Sequence, residues 1–486
     1  MDIQTKNASK VFEAIKAALQ SYYVPPFVLA FCFIFWLARL NLVCICALVL
    51  VVAAILVFCD DVKNIFCPAL FAGFCIKDIA AEANWFVYIG CVVAALIAFV
   101  AFAVTKIAKR KGSLKLGKMF YPIIVLDVAF LLGGIVGNFN VSAFFATLGL
   151  SVAMLLLYFL AINFTENLAD YLAVLFVYGA AFISLQILTK NVIDNGFHEI
   201  FECHGWATAE GPNTSALFIG LGAVSALFLI NVKKRGYLFL IPAAIYIFMV
   251  TLIRCRGMLL TLLIVIPVEA VLVVKNCKTK RALTFTLLGI LVASAIAELT
   301  THCISDAIKG VIEKFINNKS SGRLGDNQLW DWCINKFFEY PIFGYGFISA
   351  EPVPSIRAET QYFILAHNTV LQLMTSVGIF GMILAGWFYF EKYTLAFTDF
   401  KGLISMPLLL IVIAMSGITE QAAMMDPFVF LIPFILLAAK ENYLAEKAAC
   451  AEQAVVIGNS CRVFADGRVC GVTVCNNGNE KGNTEL

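Results

Sequence analysis

NTSALFIGLGAVSALFLINVKKR, residues 213–235, decides the fold. From Asn213 to Val232 no side chain carries a charge, and Lys233, Lys234 and Arg235 follow at once. About 20 apolar residues cross a ~30 Å hydrocarbon layer as a helix, because only a helix satisfies its own backbone there. A basic cluster at the end of such a run marks the side that stays in the cytoplasm. The same unit recurs along the chain. Apolar runs near 24–39, 42–58, 64–80, 84–105, 119–137, 142–162, 167–188, 213–231, 236–254, 257–274, 282–300, 367–390, 402–419 and 427–439 predict an all-α polytopic membrane protein. That gives roughly fourteen transmembrane helices, or about twelve if the crowded N-terminal region holds a re-entrant pair. Composition agrees, with 61% hydrophobic and 14% charged residues in 486, where soluble domains carry about 25% charged. A net charge of +3 gives no ground for a nucleic-acid partner.

Two further basic clusters, Lys106, Lys109, Arg110, Lys111, Lys115 and Lys118, and Lys275, Lys278, Lys280 and Arg281, fall on the same face as Lys233–Arg235 when the spans are counted. Both termini then lie inside. Residues 1–23 read as an amphipathic cytoplasmic segment, with Val11, Phe12, Ile15 and Leu19 at helical spacing. Residues 24–440 form the transmembrane domain, including a large outer loop at 302–366 with short helices, and 441–486 form a cytoplasmic tail. Most cysteines sit in or beside spans as small apolar fillers. Cys203, Cys303 and Cys333 fall on the outer face and suffice for one disulfide. Cys450, Cys461, Cys470 and Cys475 in the tail lack the paired spacing of a zinc site, and Arg462–Val469 reads as a small hairpin turning at Asp466-Gly467.

The outer polar segments hold the residues able to do chemistry. Arg254 or Arg256, Arg323, His367 and the stretch around Trp206 and Asn213 all fall at one membrane depth. A guanidinium keeps its charge and presents a planar fork of donors that suits phosphate or diphosphate. Histidine is the side chain most easily poised as acid or base near neutrality. Arg254 and Arg256 are two positions apart, about 200° around a helix, so both face one site only where a helix breaks or begins. Each has a plainer reading: snorkelling arginines at a span boundary, an arginine solvated in a loop, an interfacial histidine. Trp206, Trp330 and Trp332 are membrane-interface anchors or, less commonly, sugar-stacking surfaces.

The order of motifs is more specific than any one of them. Cys255-Arg256-Gly257 opens a span; Ser321-Gly-Arg323 and Trp330 follow; then come Pro341-Ile-Phe-Gly-Tyr-Gly346, His367-Asn368 and Gly378-Ile-Phe-Gly381. With Gly205-Trp206, Pro212-Asn213 and Gly417-Ile-Thr-Glu420, this order resembles the O-antigen ligase and polymerase family of bacterial envelope glycosyltransferases over roughly residues 120–440. The resemblance implies a crown of outer loops over the helices. It implies transfer of a glycan from an undecaprenyl-diphosphate carrier to an acceptor hydroxyl, on the outer face of the bacterial cytoplasmic membrane, with no metal ion, nucleotide sugar or other cofactor. The acceptor it implies is a glycan, lipid or protein, such as a second lipid-linked repeat or a lipid A core. By matching position, Arg256 and Arg323 would grip the diphosphate and His367 would activate the acceptor, with Arg254, Trp206, Asn213, Asn368 and Glu420 as substrate-binding neighbours. Two positions depart from the pattern: Cys255 stands where a serine is common before the arginine, and Ser376-Val377 where a glutamate is common before the Gly-Ile pair. Asp127, Glu269 and Glu298 inside spans support a different reading, a transporter or flippase of an anionic lipid or solute. The plainer expectation is that these acids pair with backbone donors or cations, or lie near an interface.

Overall fold

The computed structural model describes residues 2–76, 85–110, 113–137, 139, 141–197, 212–277, 279–316, 329–346, 366, 368–399, 405–419 and 427–457. Its helices are α1 (Asp2–Gln20), α2 (Val24–Leu37), α3 (Asn41–Phe58), α4 (Phe66–Phe71), α5 (Gly73–Ile76), α6 (Trp85–Phe102), α7 (Phe120–Gly137), α8 (Val141–Asn163) and α9 (Leu168–Asn195). They continue as α10 (Pro212–Val232), α11 (Leu240–Ile253), α12 (Arg256–Asn276), α13 (Lys280–Thr301), α14 (Cys303–Ile316), α15 (Leu329–Glu339), α16 (Thr369–Phe397), α17 (Ser405–Thr419) and α18 (Pro427–Ile457). No strand occurs among the described residues, and the chain is an all-α polytopic membrane protein. Eight of the described helices are long and apolar enough to cross a membrane, or nine if the bent pair α1–α2 counts as one span. The other expected runs fall on helices that are shorter, such as α2 and α17, or only partly described, such as α6, α8 and α18.

The stretch that decided the fold becomes the axis of the bundle. α10 is buried along almost its whole length, packed between α9, α11, α12 and α17. In lipid, helices gain little from excluding water, so close van der Waals packing must hold them together, and small residues permit it. A Cβ on Gly222 would collide with Ala180 of α9, and one on Gly179 with the ring of Phe71.

Phe71 also marks the main departure from expectation. The run at 64–80 is not one helix but a 3-10 turn at Lys63–Ile65 followed by α4 and α5. Phe71 and Phe74 both pack on the ring of Phe218 of α10, one tilted and one edge to face, with centroids 5.2 and 5.1 Å away. Gln186 of α9 donates to the Phe74 carbonyl at 3.2 Å and ties α5 to α9.

The basic clusters meet at one end of the bundle. Arg110 donates to the Asn163 carbonyl at 3.0 Å, the Lys118 amide to Glu441 at 2.8 Å, and Lys233 pairs with Asp170 at 3.2 Å. The third cluster joins them, since α13 packs on the turn at Gly236–Phe239. The C-terminal part of α1, Lys10–Gln20, bends 77° away from α2 and lies across this end, with Lys16 bonded to Asp60 and Phe12 packed on Phe58. That is the posture of an amphipathic helix lying in an interface plane. The C-terminal boundary expected at 440 falls inside α18, which runs on to Ile457 and is held by Asn442 on the Ala161 carbonyl and Lys447 on Asp399. Of the three outer cysteines that the sequence left open for a disulfide, Cys303 and Cys333 are both buried free thiols, and Cys203, like the 462–469 hairpin, lies outside the described residues.

Candidate functional site

The far end of the bundle opens where α11 stops and α12 starts. Arg254 caps α11 in the left-handed conformation (φ 58°), its amide bonded to the Thr251 carbonyl at 3.0 Å, and Cys255 is extended before Arg256 begins α12. This is the helix break that two arginines of such spacing need in order to serve one site. A left-handed non-glycine residue costs on the order of 1–2 kcal/mol, so the surrounding packing must hold it. The Cys255 thiol donates to Asn213 Oδ1 at 3.3 Å and ties the first turn of α10 to the break. Gly310 of α14 lies flush against the Arg254 guanidinium, where a Cβ would collide with Cζ and Nε. Arg254 Nε is buried without a hydrogen-bond partner among the described residues. α14 is itself anchored by Glu298, whose Oε2 accepts from the Ile304 and Ser305 amides at 2.9 and 3.1 Å. Glu298 is therefore a helix cap at an interface, as the plainer expectation had it.

A second helix break lies in α16, at Gly378 (φ 60°, ψ −167°), a conformation essentially confined to glycine. The break removes two helical bonds, from the amides of Ile379 and Phe380 to the carbonyls of Thr375 and Ser376. The Pro341–Gly346 loop replaces all four lost partners. Ile379 and Phe380 donate to the Pro341 and Ile342 carbonyls at 2.8 and 3.0 Å, while Tyr345 and Gly346 donate to the Thr375 and Ser376 carbonyls at 2.7 and 3.0 Å. Gly133 and Gly137 of α7 let this seam lie against the helix, since a Cβ on either would strike the loop backbone. Two motifs that look separate in the sequence are one structural unit.

That seam carries a second, smaller core: Leu329, Cys333, Tyr345 and Ala366, with Trp330, Trp332, Tyr340 and Leu371 against them. Burial pushes the Cys333 thiol up to about 12. Within this core Ala366 is clamped from both sides, its amide donating to Gln372 Oε1 at 3.0 Å and its carbonyl accepting from Trp330 Nε1 at 2.8 Å. Gln372 is held in turn by donating to Ser376 Oγ at 2.9 Å. Two residues on, Asn368 Oδ1 accepts from the Val370 and Leu371 amides at 3.0 and 3.1 Å and caps α16. Trp330 thus works through its indole N–H, and Trp332 packs edge to face on Tyr345 at 5.7 Å.

Of the residues expected at the site, Arg254 lies against α14, Asn213 is bonded to Cys255 at the α11–α12 break, Arg256 begins α12 at that break, and Asn368 stands at the start of α16. α17 packs against α10, α12 and α16, joining the two walls. His367, Arg323, Trp206 and Glu420 lie outside the described residues. Gln372 escaped the sequence reading, and Ser376 entered it only as a departure from the family pattern. Their signal was there, two polar residues one turn apart in an otherwise apolar span. Asp127 and Glu269, for which pairing was expected with backbone donors or cations, are both buried; Asp127 faces the Ser151 hydroxyl, and Glu269 Oε1 meets no hydrogen-bond partner among the described residues.

Comparison of the chain with curated proteins gives no match. The family model described as O-Antigen ligase matches residues 241–386, a narrower stretch than 120–440, from α11 through the broken α16. It spans both arginines of the helix break, the 341–346 seam and the clamp at Ala366, and over those residues the resemblance to the O-antigen ligase family is borne out.

Proposed function

We propose that the protein transfers a glycan from an undecaprenyl-diphosphate carrier to an acceptor hydroxyl, on the outer face of a bacterial cytoplasmic membrane. The observation that supports this reading is the break between α11 and α12, at which Arg254 ends one helix and Arg256 begins the next, at the end away from the basic clusters and within the stretch matched to the family. Arg256, with Arg254 and Arg323, grips the donor diphosphate. His367 takes the proton from the acceptor hydroxyl as its oxygen attacks the anomeric carbon. The bond from that carbon to the diphosphate oxygen breaks, and the carrier leaves with the negative charge that the guanidiniums meet. Preplaced donors of this kind are each worth about 10²–10³ in rate, and a general base about 10²–10⁴. The carrier's diphosphate is already activated, so no ATP is consumed. The acceptor is a second lipid-linked repeat in a polymerase, or a lipid A core, another glycan or a protein in a ligase.

Asp127, buried beside Ser151, and Glu269, buried with an oxygen that meets no partner among the described residues, favour a second reading, proton-coupled transport of an anionic lipid or solute. One experiment separates the two. Purified protein in liposomes is given an undecaprenyl-diphosphate glycan and an acceptor, and transfer is followed in the wild type, Arg256→Ala and the double variant Asp127→Asn/Glu269→Gln. Glycan transfer requires that the arginine variant lose product and the acid variant keep it. Product in none of them, with carrier moved across the bilayer only when both acids are present, supports transport instead.

A further inference from the structure

Between α7, α16, α17 and α18 lies a cavity of about 330 Å³, within the range of small-ligand sites. Both halves of the broken α16 line it, Leu373 before Gly378 and Phe388 after, with Leu126, Ile413 and Phe434 opposite. No atom stands within 4 Å of the place a Cβ would take on Gly386, which also lines it. Into this apolar wall is set one cation, Lys392, only 4% exposed. Its ammonium lies 5.1 and 5.3 Å from the ring centroids of Tyr389 and Tyr393, and no acidic group among the described residues faces it.

A lysine near a helix end normally snorkels to the headgroups. Lys392 is five residues, about 8 Å, before the end of α16, where Asp399 pairs with Lys447 at 2.6 Å. It sits close enough to reach the basic-end interface, yet it is turned inward beside the cavity. The rings compensate part of its charge, and three N–H donors still need acceptors. A phosphate supplies them, and an acyl chain fills the apolar wall.

We propose that this cavity binds an anionic glycerophospholipid from the leaflet at the basic end, its phosphate paired with Lys392 and one acyl chain lying along Leu373, Phe388 and Phe434. The site is distinct from the arginine break and stands whether or not the protein transfers glycans. Thr369 and Val370 complete the cavity wall immediately after the Asn368 cap, so the lipid braces the short half of α16 against the long half.

Native mass spectrometry of the purified full chain, titrated with phosphatidylglycerol or phosphatidylcholine, tests this. The wild type is expected to retain phosphatidylglycerol at about tenfold lower lipid concentration. Lys392→Met, close in volume, removes that preference, and Gly386→Leu, which grows into open space, removes the retained lipid altogether. Equal retention of the two lipids by the wild type, or an unchanged preference in Lys392→Met, overturns the proposal. Should Lys392→Met fail to fold, undiminished retention in Gly386→Leu overturns it equally.

Discussion

The two ends of this bundle are built by different means. The basic end is fastened by side chains: Glu441 alone accepts from the Tyr158 hydroxyl and from the Lys118 and Met119 amides, and ion pairs join Lys233 to Asp170 and Lys447 to Asp399. The opposite end adds a backbone seam, in which the 341–346 loop stands in for bonds lost at a glycine break and Gly133 and Gly137 allow it to lie flush. Side-chain bonds at the basic end set how the helices pack and which way the positive charge points. At the other end amides and carbonyls hold the 341–346 loop to α16, so that seam does not draw on charged side chains.

The comparison breaks most visibly at Arg256. Arg256→Ala is expected to lower transfer about 10²–10³-fold at unchanged protein level in the membrane, as quantified by immunoblot and product gel. A large fall in protein level would place Arg256 among the structural residues instead. Next in size is Gly344→Ala. Its φ of +80° and the backbone of Ser376 and Val377 leave no room for a Cβ, and a loss of about 2–4 kcal/mol, seen as a lowered Tm, follows from strain and overpacking together.

Gln372→Leu sharpens the contrast further. It leaves the Ala366 amide buried without its acceptor, which costs about 1–3 kcal/mol, and it slows transfer about tenfold through misplacement next to His367, with kcat falling more than KM and Gln372→Glu restoring part of it. At the basic end, Lys16→Ala removes a pair with the largely exposed Asp60. A change below about 1 kcal/mol in Tm-derived stability and no change in transfer are expected. The smallest effect concerns Cys333: a thiol pushed up to about 12 by burial is uncharged at pH 8, so maleimide labelling of the folded protein at this position stays near background and rises only as pH approaches 12 or the protein unfolds.

Much of this was legible in the chain because a lipid span leaves a plain composition signal. Asn213–Val232 with its basic stop is α10, and the arginine pair at 254 and 256 falls at a helix boundary as expected. Hydropathy cannot register a break, however, because broken and continuous helices bury the same side chains. It passed over the division of 64–80 around Phe71 and the kink at Gly378, and it ended α18 where its charges begin rather than where its helix ends. Long-range partners were invisible for a related reason. Nothing local in Pro341–Gly346 announces that its amides will bond to Thr375 and Ser376. The clamp at Ala366 likewise joins Trp330 to Gln372 across 42 positions of sequence.

The central claim is that Arg256 and His367 act on one bound diphosphate glycan. Its most direct measurement is the single-turnover transfer rate of purified Arg256→Ala, His367→Ala and the double variant, with lipid-linked donor in excess. Groups acting as one unit are strongly non-additive, so each single variant should fall by about 10²-fold or more and the double should fall little below the worse single. Single variants that keep the wild-type rate, or losses that multiply in the double, would contradict a shared site.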